Sequence, residues 1–182
     1  MKRSHSIIAL IMVCLMVTVA AHAEELTAVQ KTKVEAKVKQ ISSWSTDNKI
    51  VDVVRNFNAN PPVETKGMTQ EKWANLNMLS PEVKAFSKND LATYLRTIKD
   101  AMISEIFVSG ADGTKAAFLS KTTNWSHKGK PKHDVPMSGK TWIGKPEIDE
   151  STGVQQVQVG LPVLDSGKAI GSIVVGLNLS KL

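Results

Sequence analysis

The segment LSKTTNWSHKGKPKHDVPMSGKTW, residues 119–142, gathers most of the side chains able to do chemistry. It holds Lys121, Asn124, Trp125, His127, His133, Asp134 and Trp142. Two chemistries suit these types. Imidazole and carboxylate together are ligands for zinc or copper. An indole beside an amide and an ammonium suits a small-molecule wall, with area from the ring and direction from the polar groups. A metal needs at least three ligands in fixed geometry, and the gap between His127 and His133 lies in a loop, where spacing fixes nothing. The expectation is no metal and two exposed histidines that titrate near neutrality. Trp125 either plugs the edge of the core or walls a ligand. Trp142 leads a strand and reads as core. Lys121 and Asn124 flank Trp125, either solvated or ligating.

Catalytic patterns are weak elsewhere. Both histidines share one loop, and no Gly-x-Ser-x-Gly elbow is present. SGADGTK bears glycines without the phosphate-loop pattern. Glu105 and Asp112 make no evident carboxylate pair. The chain is not expected to be an enzyme or to need a cofactor, with a small exported hydrolase as the catalytic alternative.

The front of the chain sets its address. Lys2 and Arg3 precede an apolar run from Ile7 to Ala20, and Ala21-His22-Ala23 offers a small-x-small cleavage site. This is the layout of a secretory signal peptide cut after Ala23, leaving residues 24–182 as one domain, periplasmic or secreted. The single cysteine, Cys14, lies inside that run, so the exported chain has neither disulfide nor thiolate chemistry. The whole chain carries a net +6. Its lysines are dispersed and its aromatic residues few, which argues against nucleic acid as a partner.

Two periodicities position the candidate residues. From Glu25 to Phe57 apolar residues recur at helical spacing, slackening near Ser42 to Asn48. One long helix is expected, possibly bent there, reaching about 50 Å at about 1.5 Å per residue. Pro61-Pro62 ends it. Thr69, Ser80-Pro81 and Asn89-Asp90 then start short helices. From Ile103 the period changes to two. Strands are expected at 103–109, 115–120, 141–148, 154–163 and 169–179, joined as an antiparallel meander, with Asp112-Gly113 turning the first hairpin. The fold class is α+β, a long helix and short helices packed on a five-stranded antiparallel sheet. Along the fourth strand Gln156 and Gln158 alternate with Val157 and Val159, so one face is apolar and the other meets water or a wet pocket. Phe118 and Ser120 share a face of the second strand. Tyr94, the one tyrosine, either reaches such a pocket or belongs to the core.

ISEIFVSGADGTKAAFLSKTTNW and WIGKPEIDESTGVQQVQVGLPVLDSGKAIGSIVVGLNL, taken in order, resemble the first hairpin and the closing three strands of a single Cache domain, a PAS-like extracytoplasmic sensor family. The Asp149-x-Ser151-x-Gly153 turn, the Leu161-Pro162-Val163 run and Gly171 carry the likeness, although each also has a plain structural use. The resemblance implies a ligand pocket under the loop at 121–140. Its candidate residues are Trp125, Asn124, Lys121, Phe118, Trp142, Tyr94 and Gln158, with Asp149 at the mouth. It also implies loop closure on the ligand, and signalling through a membrane receptor or kinase, since no output module follows. In amino-acid-binding members an aspartate of the last strand holds the ligand's ammonium. Gly176 stands at the matching place here, which puts that recognition in doubt. With Lys121, Lys128, Lys130 and Lys132 nearby, a small carboxylate is the better expectation. The exposed stripe of the leading helix is expected to form a homodimer or partner surface. The rival expectation is a scaffold acting through that helix alone.

Overall fold

A computed structural model describes residues 25–149 and 153–182. The proposed signal peptide therefore lies outside the described residues. The expected leading helix is two helices. Helix α1 (Ala28–Ile41) starts on a capping box in which Thr27 and Gln30 satisfy each other's backbone N–H groups. It gives way to a 3-10 turn at Ser42–Thr46. Ser42 Oγ donates back to the Lys39 carbonyl at 2.7 Å, competing with the helical pattern. Asp47 is extended, and its Oδ1 accepts from the backbone N–H groups of Lys49 and Ile50. A cap in mid-sequence starts a new helix, so α2 (Asn48–Ala59) is a separate element.

Three short helices follow: α3 (Gln70–Asn75), α4 (Pro81–Ser87) and α5 (Asp90–Ile98). Thr69 and Asn89 cap the first and third, and Pro81 opens the second. The strands are β1 (Ile103–Gly110), β2 (Lys115–Phe118), β3 (Trp142–Ile148), β4 (Gln155–Asp165) and β5 (Lys168–Asn178), with α6 (Pro131–Met137) between β2 and β3. All pairings are antiparallel, and the sheet order is β2-β1-β5-β4-β3.

That order corrects the simple meander. Strands β2 and β3 stand at opposite edges, and β5 closes the sheet against β1. The reason is the connection. Residues 119–141 are too long for a hairpin and carry a helix of their own, so they cross the sheet face instead. The α+β class stands as expected, with helices packed on a five-stranded antiparallel sheet.

The two faces differ as the period of two demands. One bears Val157, Val159, Leu161 and Val163 of β4 beside Ile173, Val175 and Leu177 of β5, all without exposed surface. Val51, Val54 and Phe57 of α2 belong to this core. The helix approaches closely where Gly110 pairs with Gly171. A Cβ on Gly110 would stand 2.7 Å from the Phe57 ring, and one on Gly171 would stand 2.8 Å from Val54 Cγ1. The other face carries Glu105, Phe107, Ser109, Ser172, Gln156 and Gln158, and α6 covers part of it. A Cβ on Gly160 would fall 2.6 Å from the Lys132 carbonyl oxygen, so that glycine admits α6.

Helix α1 is tied to the start of β1 by an ion pair between Lys37, a buried residue, and Asp100. Burial pushes the Asp100 carboxyl up, but Lys37 and the backbone amides of Met102 and Ile103 outweigh it and hold it below the usual carboxylate range. A depressed carboxylate adds stability that is present above its unfolded pKa and lost as pH falls through the folded one. Asp100→Asn should therefore cost about 1–2 kcal/mol near neutrality, below the value for a fully buried pair because the carboxylate is half exposed. In urea melts at falling pH the gap between the two proteins should close below about pH 4. A constant gap would show that the pair is not the source.

Candidate functional site: a cavity with charged walls

On the polar face lies a cavity of about 320 Å³. Strand β1 supplies Glu105 and Phe107, and β4 supplies Gln158. Thr122, Thr123, Asn124 and His127 come from the crossing segment. Lys130 and Lys132 stand at and in α6, and Glu147, Ile148 and Asp149 come from the end of β3.

His127 is placed by the first hairpin. Gly113, with φ of +81°, takes the left-handed conformation of the turn. A Cβ there would stand 2.4 Å from the Lys128 backbone nitrogen, so the glycine also lets the segment dock. Thr114 bridges Ser126, and the His127 N–H donates to the Gly113 carbonyl at 2.9 Å. The imidazole then stacks on Phe107 with ring centroids 4.7 Å apart. Its Nδ1 meets the Lys115 amine. Alternation alone would turn Lys115 away from this face. A bulge between β1 and β2 pairs Lys115 with Ser109 and re-aims it toward Phe107.

Both histidines are buried, which corrects the expectation of exposed, titrating rings. His127 is held neutral, its pKa brought down to about 2 by burial and then by Lys115 and the lysines of the α6 region. His133 is lowered chiefly by burial, against a hydrogen bond to the Ala111 backbone, and its Nδ1 lies 2.7 Å from Ser172 Oγ. Among the described residues no set of three histidine, cysteine or acidic side chains is arranged to hold a metal.

Opposite stands Glu105. Gln158 Nε2 donates to its Oε2 at 2.8 Å, and Lys132 Nζ donates to Gln158 Oε1 at 2.5 Å. A neutral amide thus bridges an anion and a cation across the wall. Burial raises the Glu105 pKa, Asp149 adds to the rise, and Gln158 and Lys132 oppose it.

Of the expected site residues, Asn124, Gln158 and Asp149 line the cavity together. The others lie elsewhere. Trp125 is buried among Trp73 and Phe86, with ring centroids 5.0 and 5.4 Å away, and plugs the aromatic core. Phe118 is fully buried in the same cluster, edge-on to Trp73. Lys121 extends over the Trp73 ring at 4.9 Å. Trp142 is half-buried at the outer strand, its ring across Gly144. Tyr94 is on the α2 side, where its hydroxyl donates to Asp47 Oδ2 at 2.6 Å, which raises its pKa to about 12. It borders a separate cleft between α2 and α5, with Lys49 over its ring.

The crossing segment is fastened, not hinged. Gln70 of α3 accepts from the Trp125 N–H and donates to the Thr123 carbonyl, both at 2.9 Å. Trp73 Nε1 donates to the Thr122 carbonyl at 2.7 Å. The cavity is therefore preformed on that side. Glu105, Phe107, His127 and Glu147 were not foreseen as lining residues. A glutamate inside the apolar strand ISEIFVS was the available signal for the first.

No family model and no curated protein matches this chain. Solved structures do resemble it. One is the sensor domain of the V. cholerae histidine kinase DctB, 12% identical over 84% of this chain and 53% of that one, with a TM-score of 0.49. The ligand-binding domain of the Pseudomonas fluorescens chemoreceptor CtaA, in complex with L-leucine, is 14% identical over 84% of this chain and 53% of its own, with a TM-score of 0.43. The sensory domain of the Campylobacter jejuni chemoreceptor Tlp3, with isoleucine bound, is 14% identical over 84% and 64%, with a TM-score of 0.40. The chain thus spans between about half and two thirds of these neighbours' lengths.

Two outcomes test this geometry. Trp125→Ala should lose about 3 kcal/mol by denaturant unfolding, as a plug would, whereas a solvated wall would lose far less. Glu105 has a raised folded pKa, so its contribution is greatest at low pH and is lost as pH rises through that value. Glu105→Gln should therefore melt higher than the parent near neutrality and equally below about pH 4. Equal melting temperatures at all pH values would show that the buried charge costs nothing.

Proposed function

We propose that this chain is an extracytoplasmic sensor unit that binds a small carboxylate in the cavity on the polar sheet face. The observation that carries the reading is the Glu105–Gln158–Lys132 chain of hydrogen bonds on the wall of a preformed cavity. Such groups gain little for folding, since buried ion pairs seldom outperform apolar packing. They suit a ligand that presents an anionic end to Lys130 and Lys132 and a hydrogen-bond donor to Glu105. A volume of about 320 Å³ is at the lower end for small-molecule sites, matching a metabolite of a few heavy atoms. Among the described residues no helix is long and apolar enough to cross a bilayer. Export by the proposed signal peptide and a membrane receptor or kinase as partner complete the reading. Helix α1, with Val29 exposed, is the surface offered to that partner or to a second copy.

A thermal-shift series with acetate, propionate, pyruvate, lactate and alanine at about 10 mM tests it, that concentration being above a millimolar Kd. A ligand at 100 times its Kd adds about 2.7 kcal/mol. At least one carboxylate should raise the melting temperature, its neutral amide should not, and Lys132→Met should reduce the shift. Should none stabilise the protein while charge substitutions at α1 abolish partner binding, the scaffold reading replaces this one. Turnover of a chromogenic ester without stabilisation would instead indicate a hydrolase.

A further inference from the structure

Lys115 has no exposed surface, and its nitrogen lies 4.8 Å from the centroid of the Phe107 ring. Its hydrogen-bond partner is His127 Nδ1. Burial pushes the Lys115 amine well below the ordinary lysine range. Charged or neutral, the amine carries N–H bonds, and no second acceptor for them is found among the described residues. An Nδ1 that accepts from Lys115 satisfies that buried donor in either state of the amine, whereas an Nδ1–H could be accepted by the neutral amine alone. A neutral imidazole with an accepting Nδ1 holds its proton on Nε2. The ring is stacked on Phe107 and lines the cavity, while Nδ1 faces the buried lysine. The donor edge is thus the one left for a ligand.

We infer that His127, fixed by Lys115 as the Nε2–H form, is the hydrogen-bond donor that holds an oxygen of the bound carboxylate, with Lys115 as its positioning residue. This rests on the ligand-binding reading of the cavity. The groups facing His127 act together. Burial first, and then Lys115 on β2 with Lys130, Lys132 and His133 at and in α6, disfavour a second proton on the ring. Glu105 of β1 lines the same cavity but makes no contact with the ring that offsets them. The imidazole is accordingly a donor whose state does not change over the range where an ordinary histidine titrates. Recognition through it is independent of pH there, which an unshielded histidine would not secure. Asn124 and Lys132 line the same cavity and can add contacts.

Long-range proton–nitrogen NMR of the histidines tests this on the unaltered protein, from about pH 5 to 8. His127 should show the Nε2–H tautomer throughout, and added lactate or propionate should shift its Nε2 signal. His127→Phe keeps the stack on Phe107 and removes the donor, and should weaken lactate binding about tenfold or more. Lys115→Met removes the donor to Nδ1 and should let the Nδ1–H tautomer appear in the same spectra, with a matching loss of lactate affinity, while the buried ring stays neutral. An Nδ1–H tautomer in the unaltered protein, or an imidazolium near pH 6, overturns the assignment. If lactate stabilises the protein but the Nε2 signal stays put and His127→Phe binds equally well, this assignment fails and the binding function survives. If no carboxylate stabilises the protein, both fail.

Discussion

Two ionisable side chains, Lys115 and Glu105, are buried on one face of a single sheet, with 0% and 3% of their surface exposed, and burial disfavours the charged form of each. Removing an ion from water costs several kcal/mol even after relaxation. The polar face is organised around that cost. Each buried ionisable group meets a neutral hydrogen-bonding partner, His127 for the lysine and Gln158 for the glutamate. Phe107 stands between them on β1 and presents its ring to the lysine. The two groups do not pair directly, and Glu105 is instead joined to Lys132 of the cavity wall through Gln158. An apolar filling of the same space would fold at least as well. Under the proposed function, that polar capacity is what a bound carboxylate would use.

Strand β1 joins this face to the helices. Lys37 of α1 holds Asp100 just before the strand begins, and Glu105 lies within it. Its far end carries Gly110, where α2 packs closest. The strand is hydrogen-bonded on both sides, to β2 and β5. A core packed at this density transmits displacement without absorbing it. The cavity wall and the leading helix are thus linked through one rigid strand.

Most of the architecture was legible because it rests on local rules. Helix caps at Asn89 and Thr69, the Gly113 turn and the alternation of β4 each follow from residue type and spacing. What escaped were features set by long-range closure. The insertion of β5 beside β1 does not follow from the short turns, which suggest a plain meander, although the long 119–141 connection shows that β2 and β3 need not be neighbours. The reversal of Lys115 needs a bulge that its sequence KAAF does not advertise. The burial of His127 and His133 depends on the crossing segment lying across the sheet, while composition alone shows a polar loop. Tyr94 and Trp125 fit either a pocket or a core by type. Asp47 and the Trp73–Phe86 cluster decided between the two.

Gly176 shows how a departure at one position is bound to its neighbours. It lies in β5 between Glu105 and Gln158, the two residues joined across the cavity floor. A Cβ there would stand 2.1 Å from Gln156 Oε1 and 2.7 Å from Ser104 Oγ. Those two side chains already bond each other at 2.5 Å, so an aspartate would have to displace both. It would also place a second carboxylate beside Glu105, whose own charge burial and Asp149 already resist. Two buried acids in adjacent strands would share one charge between them. The anionic wall is therefore built from β1, and the glycine in β5 is the condition for it.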